Sequence, residues 1–373
     1  MQLSPVLADL AQYPFTRLDD WKREARSRGI ALIDFGMGDP REVTPAFIRE
    51  ALVAGIDEVS SYPRATGLPE LRDAVAAWIG RRFDVEVDPW EIVPTLGSKE
   101  AIFSFAQVAV GERRLVAIPE PAYPVYERGA LFAGADVVPV PLAEETGWLP
   151  DLDAFDAWDE LALFWTCYPN NPTGAVAPLS FYDELAARAR EHGFLVCSDE
   201  AYSELWFDEP PVSALQVASR DNVVVFNTLS KRSSMTGYRS GFVCAPPPVA
   251  DALRKFRPTV GTAPQEFVQR ASVVAWSDDT HVKGVRALYR RKRDTLLPVL
   301  LDKGLRLSGS DATFYLWLEV GDSEAFARRL LEHGIVVAPG SFFGPAGDGY
   351  VRFALVPTQA ECERAAEILR EVL

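Results

Sequence analysis

Hydrophobic positions along the chain fall into short solid runs, separated by stretches in which they recur every three or four residues. The runs lie at 91–95, 115–118, 136–140, 161–167, 194–198, 222–226 and 241–245. Apolar runs of that length, with no polar alternation, read as strands buried on both faces. Helical stripes stand between several of them, for instance Leu71, Val75, Trp78 and Ile79, or Leu185, Ala186 and Ala189. This alternation predicts an α/β chain with a large, doubly wound, mostly parallel sheet and right-handed crossovers.

The ends of the chain have a different texture. Residues 1–15 read as an irregular arm, Thr16 with Asp19 as a capping box, and 30–35 as a strand broken by Gly36-Met37-Gly38-Asp39-Pro40. Helices are expected from Pro45 and from near Leu68, and Ser180 with Asp183 has the spacing of another cap. Past Pro264 come long helical patterns at 264–276 and 279–301. Extended runs at 314–320, 335–338 and 350–355 follow, with a helix at 323–333 and a last one capped by Thr358 and Glu361. The expected division is a large domain over 45–263 and a smaller, discontinuous α+β domain over 1–44 and 264–373.

Composition narrows the function. A formal net charge of −15 disfavours nucleic acid or an anionic membrane surface as the main partner. No basic leader with an apolar core, and no apolar run of spanning length, is visible, so a cytoplasmic location is expected. The four cysteines lie in apolar or helical patterns without metal-ligand spacing, and of the three histidines two precede glycine at helix ends. Neither a metal site nor a Ser-His-Asp triad is indicated.

Chemistry concentrates at the ends of the buried runs. Lys231 lies in Thr228-Leu229-Ser230-Lys231-Arg232, on the connection between runs 222–226 and 241–245. A lysine partly desolvated there, beside Arg232 and Arg239, has a lowered pKa and is free to attack an aldehyde. Pyridoxal phosphate offers that aldehyde, and Thr228, Ser230 and Arg239 offer the hydroxyls and cation that its phosphate needs. Two neighbouring runs end in Asn170-Asn171-Pro172-Thr173-Gly174 and in Asp199-Glu200-Ala201-Tyr202. Carboxyl ends of adjacent parallel strands share one rim, so Asn171, Asp199, Tyr202 and Lys231 are expected to converge.

Each group suits one part of such a cofactor. Asp199 against the pyridine nitrogen keeps the ring protonated, Asn171 and Tyr202 can hydrogen-bond the ring hydroxyl oxygen, and Tyr123 can stack on the ring. Gly97-Ser98-Lys99 opens a helix whose first N–H groups suit a phosphate. Arg352, alone in the apolar run Tyr350-Val351-Arg352-Phe353, needs either a bound carboxylate or a structural acid. Taken singly, each has a plain alternative: a turn at Asn171-Pro172, a helix cap at Asp199, core aromatics at Tyr123 and Tyr202, a solvated loop at Lys231.

Taken together, these motifs resemble the class I/II aminotransferases of pyridoxal phosphate fold type I, the aspartate aminotransferase fold. The resemblance runs from Gly36-Met37-Gly38-Asp39-Pro40 to Arg352. It implies that Lys231 is the Schiff-base lysine and general base, that Ser98, Lys99, Thr228, Ser230 and Arg239 hold the phosphate, and that Arg352, Asn171 and the Gly38 backbone take the substrate α-carboxylate. It implies a cis bond at Asn171-Pro172, and a homodimer in which Tyr62 reaches the neighbouring subunit's phosphate. Thr228 stands where many relatives carry serine, which keeps the hydroxyl.

Ser230-Lys231-Arg232-Ser233 with Gly237-Tyr238-Arg239-Ser240-Gly241 looks most like the succinyldiaminopimelate aminotransferases of lysine biosynthesis. Arg64, Lys99 and Arg232 are then candidate cations for the extra carboxylates of that substrate. The expected activity exchanges an amino group between glutamate or 2-oxoglutarate and N-succinyl-LL-2,6-diaminopimelate. Its rivals are an alanine or aspartate aminotransferase or a carbon–sulfur β-lyase on the same fold. A ligand-sensing regulator domain is disfavoured by the acidic charge and by an arm too short for a DNA-binding helix pair.

Overall fold

The computed structural model describes residues 4–373. In chain order the helices are α1 (Pro5–Asp9), α2 (Pro14–Ser27), α3 (Ala46–Ala54), α4 (Pro69–Phe83), α5 (Ser98–Ala109), α6 (Val125–Phe132), α7 (Leu179–His192), α8 (Leu229–Arg232), α9 (Pro247–Thr259), α10 (Glu266–Ser277), α11 (Thr280–Asp302), α12 (Ser323–Glu332) and α13 (Gln359–Val372). Seven strands build the large sheet: β2 (Ile92–Thr95), β3 (Leu115–Glu120), β4 (Asp136–Pro141), β5 (Leu161–Cys167), β6 (Leu195–Asp199), β7 (Val223–Thr228) and β8 (Gly241–Cys244). Their order is β2-β8-β7-β6-β5-β3-β4. Only β8 runs against its neighbours, so the sheet is mostly parallel, as its continuous apolar runs require.

Both faces of this sheet are covered. Val223 and Val225 pack into one hydrophobic cluster with α4 and α7, while Val224 and Phe226 pack into another with α5 and α6. Successive side chains on a strand point to opposite faces, so an unbroken Val-Val-Val-Phe run fills two cores at once.

A third cluster joins the two ends of the chain. β1 (Ile33–Asp34) pairs in parallel with β11 (Ile335–Val336). β9 (Arg306–Leu307), β10 (Tyr315–Glu319), β12 (Ala338–Pro339) and β13 (Tyr350–Ala354) form a four-stranded sheet in the order β12-β13-β10-β9. Phe15, Leu18 and Trp21 of α2 pack into the same cluster as Trp317, Leu330 and Phe353. α10 behaves otherwise: although it follows residue 264, its Ala271, Ala275 and Trp276 are buried with α3 and α4 in the cluster that holds Val223 and Val225 of the large sheet.

Several local expectations need correction. The segment read as an irregular arm contains α1 and the start of α2, because Pro14 occupies the first turn, where its missing N–H costs nothing. Thr16 therefore lies inside α2 and caps nothing. α7 begins at Leu179 with Pro178 as its flanking residue, which puts Ser180 within the first turn and not at the cap. Residues 335–338 form two short strands in two different sheets. The Thr358–Glu361 capping box and the cis bond at Asn171-Pro172 are present as expected. All four cysteines are free and buried, and no helix among the described residues is long and apolar enough to cross a membrane.

Candidate active site

The register of the large sheet sets the site. β5, β6 and β7 are parallel neighbours in which Cys167 pairs with Asp199 and Asp199 with Phe226, so their carboxyl ends finish level. The segments that leave these ends carry Asn171, Tyr202 and Lys231, and all three line one cavity of about 460 Å³ together with Asp199. Ser98, Lys99, Tyr123, Thr228, Ser230, Arg239, Gly38 and Arg352 line the same cavity. Of the residues singled out from the sequence for the cofactor and the α-carboxylate, Tyr62 alone lies elsewhere, fully exposed on the single chain.

Four cations face this space: Lys99, Lys231, Arg239 and Arg352. Among the described residues none of them is ion-paired, although the chain carries 53 carboxylate side chains against 38 Lys and Arg. Arg239 donates only to the carbonyls of Thr236 and Leu96, at 2.8 and 3.0 Å. Arg352, 2 % exposed, donates to Asn171 Oδ1 at 2.5 Å and to the Gly36 carbonyl at 2.9 Å, and its Nε has no partner. The structural acid that would explain a buried arginine is absent from its described surroundings. Guanidinium groups held by neutral acceptors in an acidic protein retain their full appetite for an anion.

The acid at the centre is differently placed. Asp199 accepts from Tyr126 Oη at 2.8 Å and from the Ala201 N–H at 3.1 Å. Burial pushes its pKa up to about 6, against the pull of these two donors and of Lys231, so it is ionised at neutral pH. Burial likewise pushes the Lys231 amine down to about 8, with the Asp39 charge opposing and Arg352 and Arg239 assisting. Arg232 contributes nothing here, contrary to the sequence reading. Its guanidinium turns away, with side-chain exposure of 1 %, to the Ala275 and Asp278 carbonyls and to Asp279. It is thus excluded as a cation for substrate, and Arg64 lies outside the cavity as well.

Gly97-Ser98, Arg239, Thr228 and Ser230 sit on two short turns at the cavity edge. Gly97 precedes α5 with φ +76°, and a Cβ there would meet Arg239 Nη2 at 2.7 Å. Only glycine lets the guanidinium lie against the first turn of α5, whose free N–H groups and dipole also favour an anion. Thr228 Oγ1 lies 2.9 Å from the Ser240 carbonyl and 3.0 Å from Ser230 Oγ, which fixes both hydroxyls. Across the cavity the Tyr202 and Tyr315 hydroxyls are 2.6 Å apart.

Sequence reasoning missed Tyr126, Tyr315, Tyr13 and Asp39. Tyr126 reaches Asp199 from 73 residues away on a helix whose pattern marks it only as core. Tyr315 follows a similar course on β10. Asp39 stands in the glycine-rich break after β1, where nothing in the sequence signals that it lines the cavity.

A phosphate, a carboxylate, an aldehyde and a basic ring nitrogen all find partners in this constellation, which fits pyridoxal phosphate with an amino acid beside it. Comparison with known proteins agrees. The LL-diaminopimelate aminotransferase of Nitratidesulfovibrio vulgaris is 38% identical over 378 residues, covering 98% of this chain and 97% of its own. That of Aquifex aeolicus is 40% identical over 380 residues, covering 98% of each. Among solved structures, a single mutant of the Thermus thermophilus aspartate aminotransferase superposes with a TM-score of 0.93 at 30% identity over the whole of both chains. A probable N-succinyldiaminopimelate aminotransferase from the same organism reaches 0.90 at 32%, covering 96% of this chain and 100% of its own. Residues 30–369 match the family described as aminotransferase class I and II, and the chain belongs to that family of pyridoxal phosphate enzymes with the aspartate aminotransferase-like fold.

Proposed function

We propose that the chain is a diaminopimelate aminotransferase, exchanging an amino group between LL-diaminopimelate and 2-oxoglutarate in lysine biosynthesis. The observation that carries the transamination reading is the set of four unpaired cations around the ionised Asp199 in one cavity. The choice of substrate rests on relatives of that name at 38–40% identity over nearly the full chain.

When bound, pyridoxal phosphate supplies an aldehyde that takes up an amine and a protonated ring that draws electrons from the adjoining carbon. The residues of the chain do the rest. Arg239, Lys99, Ser98, Thr228 and Ser230 hold the phosphate, with the N-terminus of α5 behind them. Asp199 keeps a proton on the ring nitrogen, because Tyr126 and the Ala201 N–H maintain its charge. Asn171, whose Oδ1 is occupied by Arg352, has its amide nitrogen left to donate to the ring hydroxyl oxygen, beside Tyr202. Tyr123 forms an aromatic wall of the cavity.

Arg352 binds the α-carboxylate and so fixes which substrate bond lies next to Lys231. The Lys231 amine, with its pKa near 8, is substantially neutral under mildly alkaline conditions and takes the proton from the substrate α-carbon. We further propose a cytoplasmic homodimer in which Tyr62 serves the partner's phosphate.

The similarity to a probable N-succinyldiaminopimelate aminotransferase supports a second reading, with the acylated compound as substrate. Glutamate formation from 2-oxoglutarate, with LL-diaminopimelate, its N-succinyl derivative, alanine and aspartate as donors, decides between them. LL-diaminopimelate is expected to give the highest kcat/KM. A higher value with the succinyl compound would replace the first reading by the second, and activity confined to alanine or aspartate would end both.

A further inference from the structure

The end of β1 and the segment that follows it carry three acids, Asp34, Asp39 and Glu42, and their surroundings differ. Asp34 is paired with Lys22 at 3.1 Å. Glu42 is paired with the fully buried Lys292. Asp39, between them, makes no hydrogen bond and no ion pair among the described residues; it is exposed and lines the active-site cavity.

Its position is not free to drift. Three residues before it, the Gly36 carbonyl is held by Arg352, and the Gly36 N–H donates to Asp34 Oδ1 at 2.9 Å. Immediately before it, the Gly38 carbonyl accepts from Lys231, and a Cβ on Gly38 would come within 2.2 Å of Tyr315 Oη. Asp39 is therefore anchored through its neighbours' carbonyls to the cations of the reacting end, and its carboxylate, whose charge Lys231 feels, has no hydrogen-bond or ion-pair partner among the described residues.

We propose that Asp39 is the contact for a second, free ammonium group on the substrate, and so selects an unacylated diamino acid over an N-acylated or mono-amino one. This rests on the diaminopimelate reading above and sharpens it. Both candidate substrates present an α-carboxylate to Arg352, and both carry a further carboxylate at the far end. Only the unacylated compound also carries a far-end cation, because acylation turns that amine into a neutral amide. An unpaired carboxylate in the same cavity attracts the first and gains nothing from the second.

A plainer duty for Asp39, holding up the basicity of Lys231, would act on every amino donor alike. The test is built to separate the two. Single-turnover kinetics of the cofactor-loaded enzyme are measured with LL-diaminopimelate and with L-2-aminopimelate, which has the same length and both carboxylates but no second amine. The readout is the ratio of the two kcat/KM values, in which any effect through Lys231 cancels. Asp39→Asn is expected to lower that ratio roughly tenfold, the size of one hydrogen bond to a charged group, and Asp39→Glu is expected to keep most of it. Equal losses on both donors, or an Asp39→Asn enzyme with the wild-type ratio, would overturn the proposal while leaving the diaminopimelate reading intact. Failure of the wild-type enzyme to turn over LL-diaminopimelate would overturn both.

Discussion

Asp199 keeps its charge in a setting that burial would otherwise neutralise, and the Tyr126 hydroxyl is the largest single counterweight. Tyr126→Phe removes that donor without changing the shape of the aromatic layer in which the ring stacks on Trp165 at 5.0 Å. Hydrogen bonds to a charged group contribute about 1.5–3 kcal/mol, so the affinity for pyridoxal phosphate should fall by roughly ten- to a hundredfold. The sign with pH follows from the raised pKa. In the proposed role only the carboxylate form holds the ring proton, so cofactor binding should weaken as pH falls through about 6, and Tyr126→Phe should move that midpoint upward. Titrating the apoprotein with cofactor across pH tests both, and an unchanged midpoint would remove Tyr126 from the site.

Lys231 supplies a second check at this scale. In the apoprotein its reaction with an amine-directed acylating reagent should rise through a midpoint near pH 8, set by burial, and not near the ordinary lysine value of about 10.4. A midpoint above about 10 at this peptide would show that the amine is solvated. Asp199 was legible in the sequence because it ends an apolar run where an apolar residue would otherwise stand, and Lys231 because it follows such a run on a short connection between two buried strands. Tyr126 was not, since a tyrosine on a helical stripe looks the same whether or not an acid from a distant strand meets its hydroxyl.

Among the elements, the turn into α5 joins backbone conformation to ligand binding. Gly97→Ala places a methyl in a left-handed conformation and against Arg239, whereas Gly147→Ala, at φ +67° with nothing within 4 Å, imposes the conformational strain alone. Each should cost about 1 kcal/mol or somewhat more of stability, but only Gly97→Ala should weaken cofactor binding, by displacing the guanidinium. Thermal unfolding paired with cofactor titration measures the two effects. Equal affinities for the two variants would mean that Arg239 does not hold the phosphate.

Helix ends were legible only where the chemistry is unambiguous. Thr358 and Glu361 exchange hydrogen bonds with each other's backbone, so their spacing marks a true start. Ser180 and Asp183 share the spacing but lie inside α7, because any polar residue in a first turn satisfies the pattern. The crossing at Val337, where β11 leaves one sheet and β12 joins another, is invisible in a run whose every residue is buried.

Across the whole molecule, what stays exposed on the single chain matters as much as what is buried. Ile56, Val59, Tyr62 and Phe267 border one hollow and are 60 %, 76 %, 100 % and 37 % exposed. A patch of that kind marks a contact surface, and a twofold dimer is the commonest way for a chain to cover it with itself. If Tyr62 serves the partner's phosphate, Tyr62→Ala and Lys231→Ala enzymes fail for reasons that lie on different subunits. Mixed under conditions that exchange subunits, they form a hybrid in which one site has both Lys231 and the partner's Tyr62, and the other has neither. With statistical exchange half of the dimers are hybrids with one working site each, so activity should recover to about a quarter of the wild-type rate. Were Tyr62 to act within its own subunit, every site in the mixture would lack one of the two residues, and mixing would restore nothing. Sedimentation of the wild-type protein as a monomer at assay concentrations would exclude the shared site by another route, since no hybrid could then form.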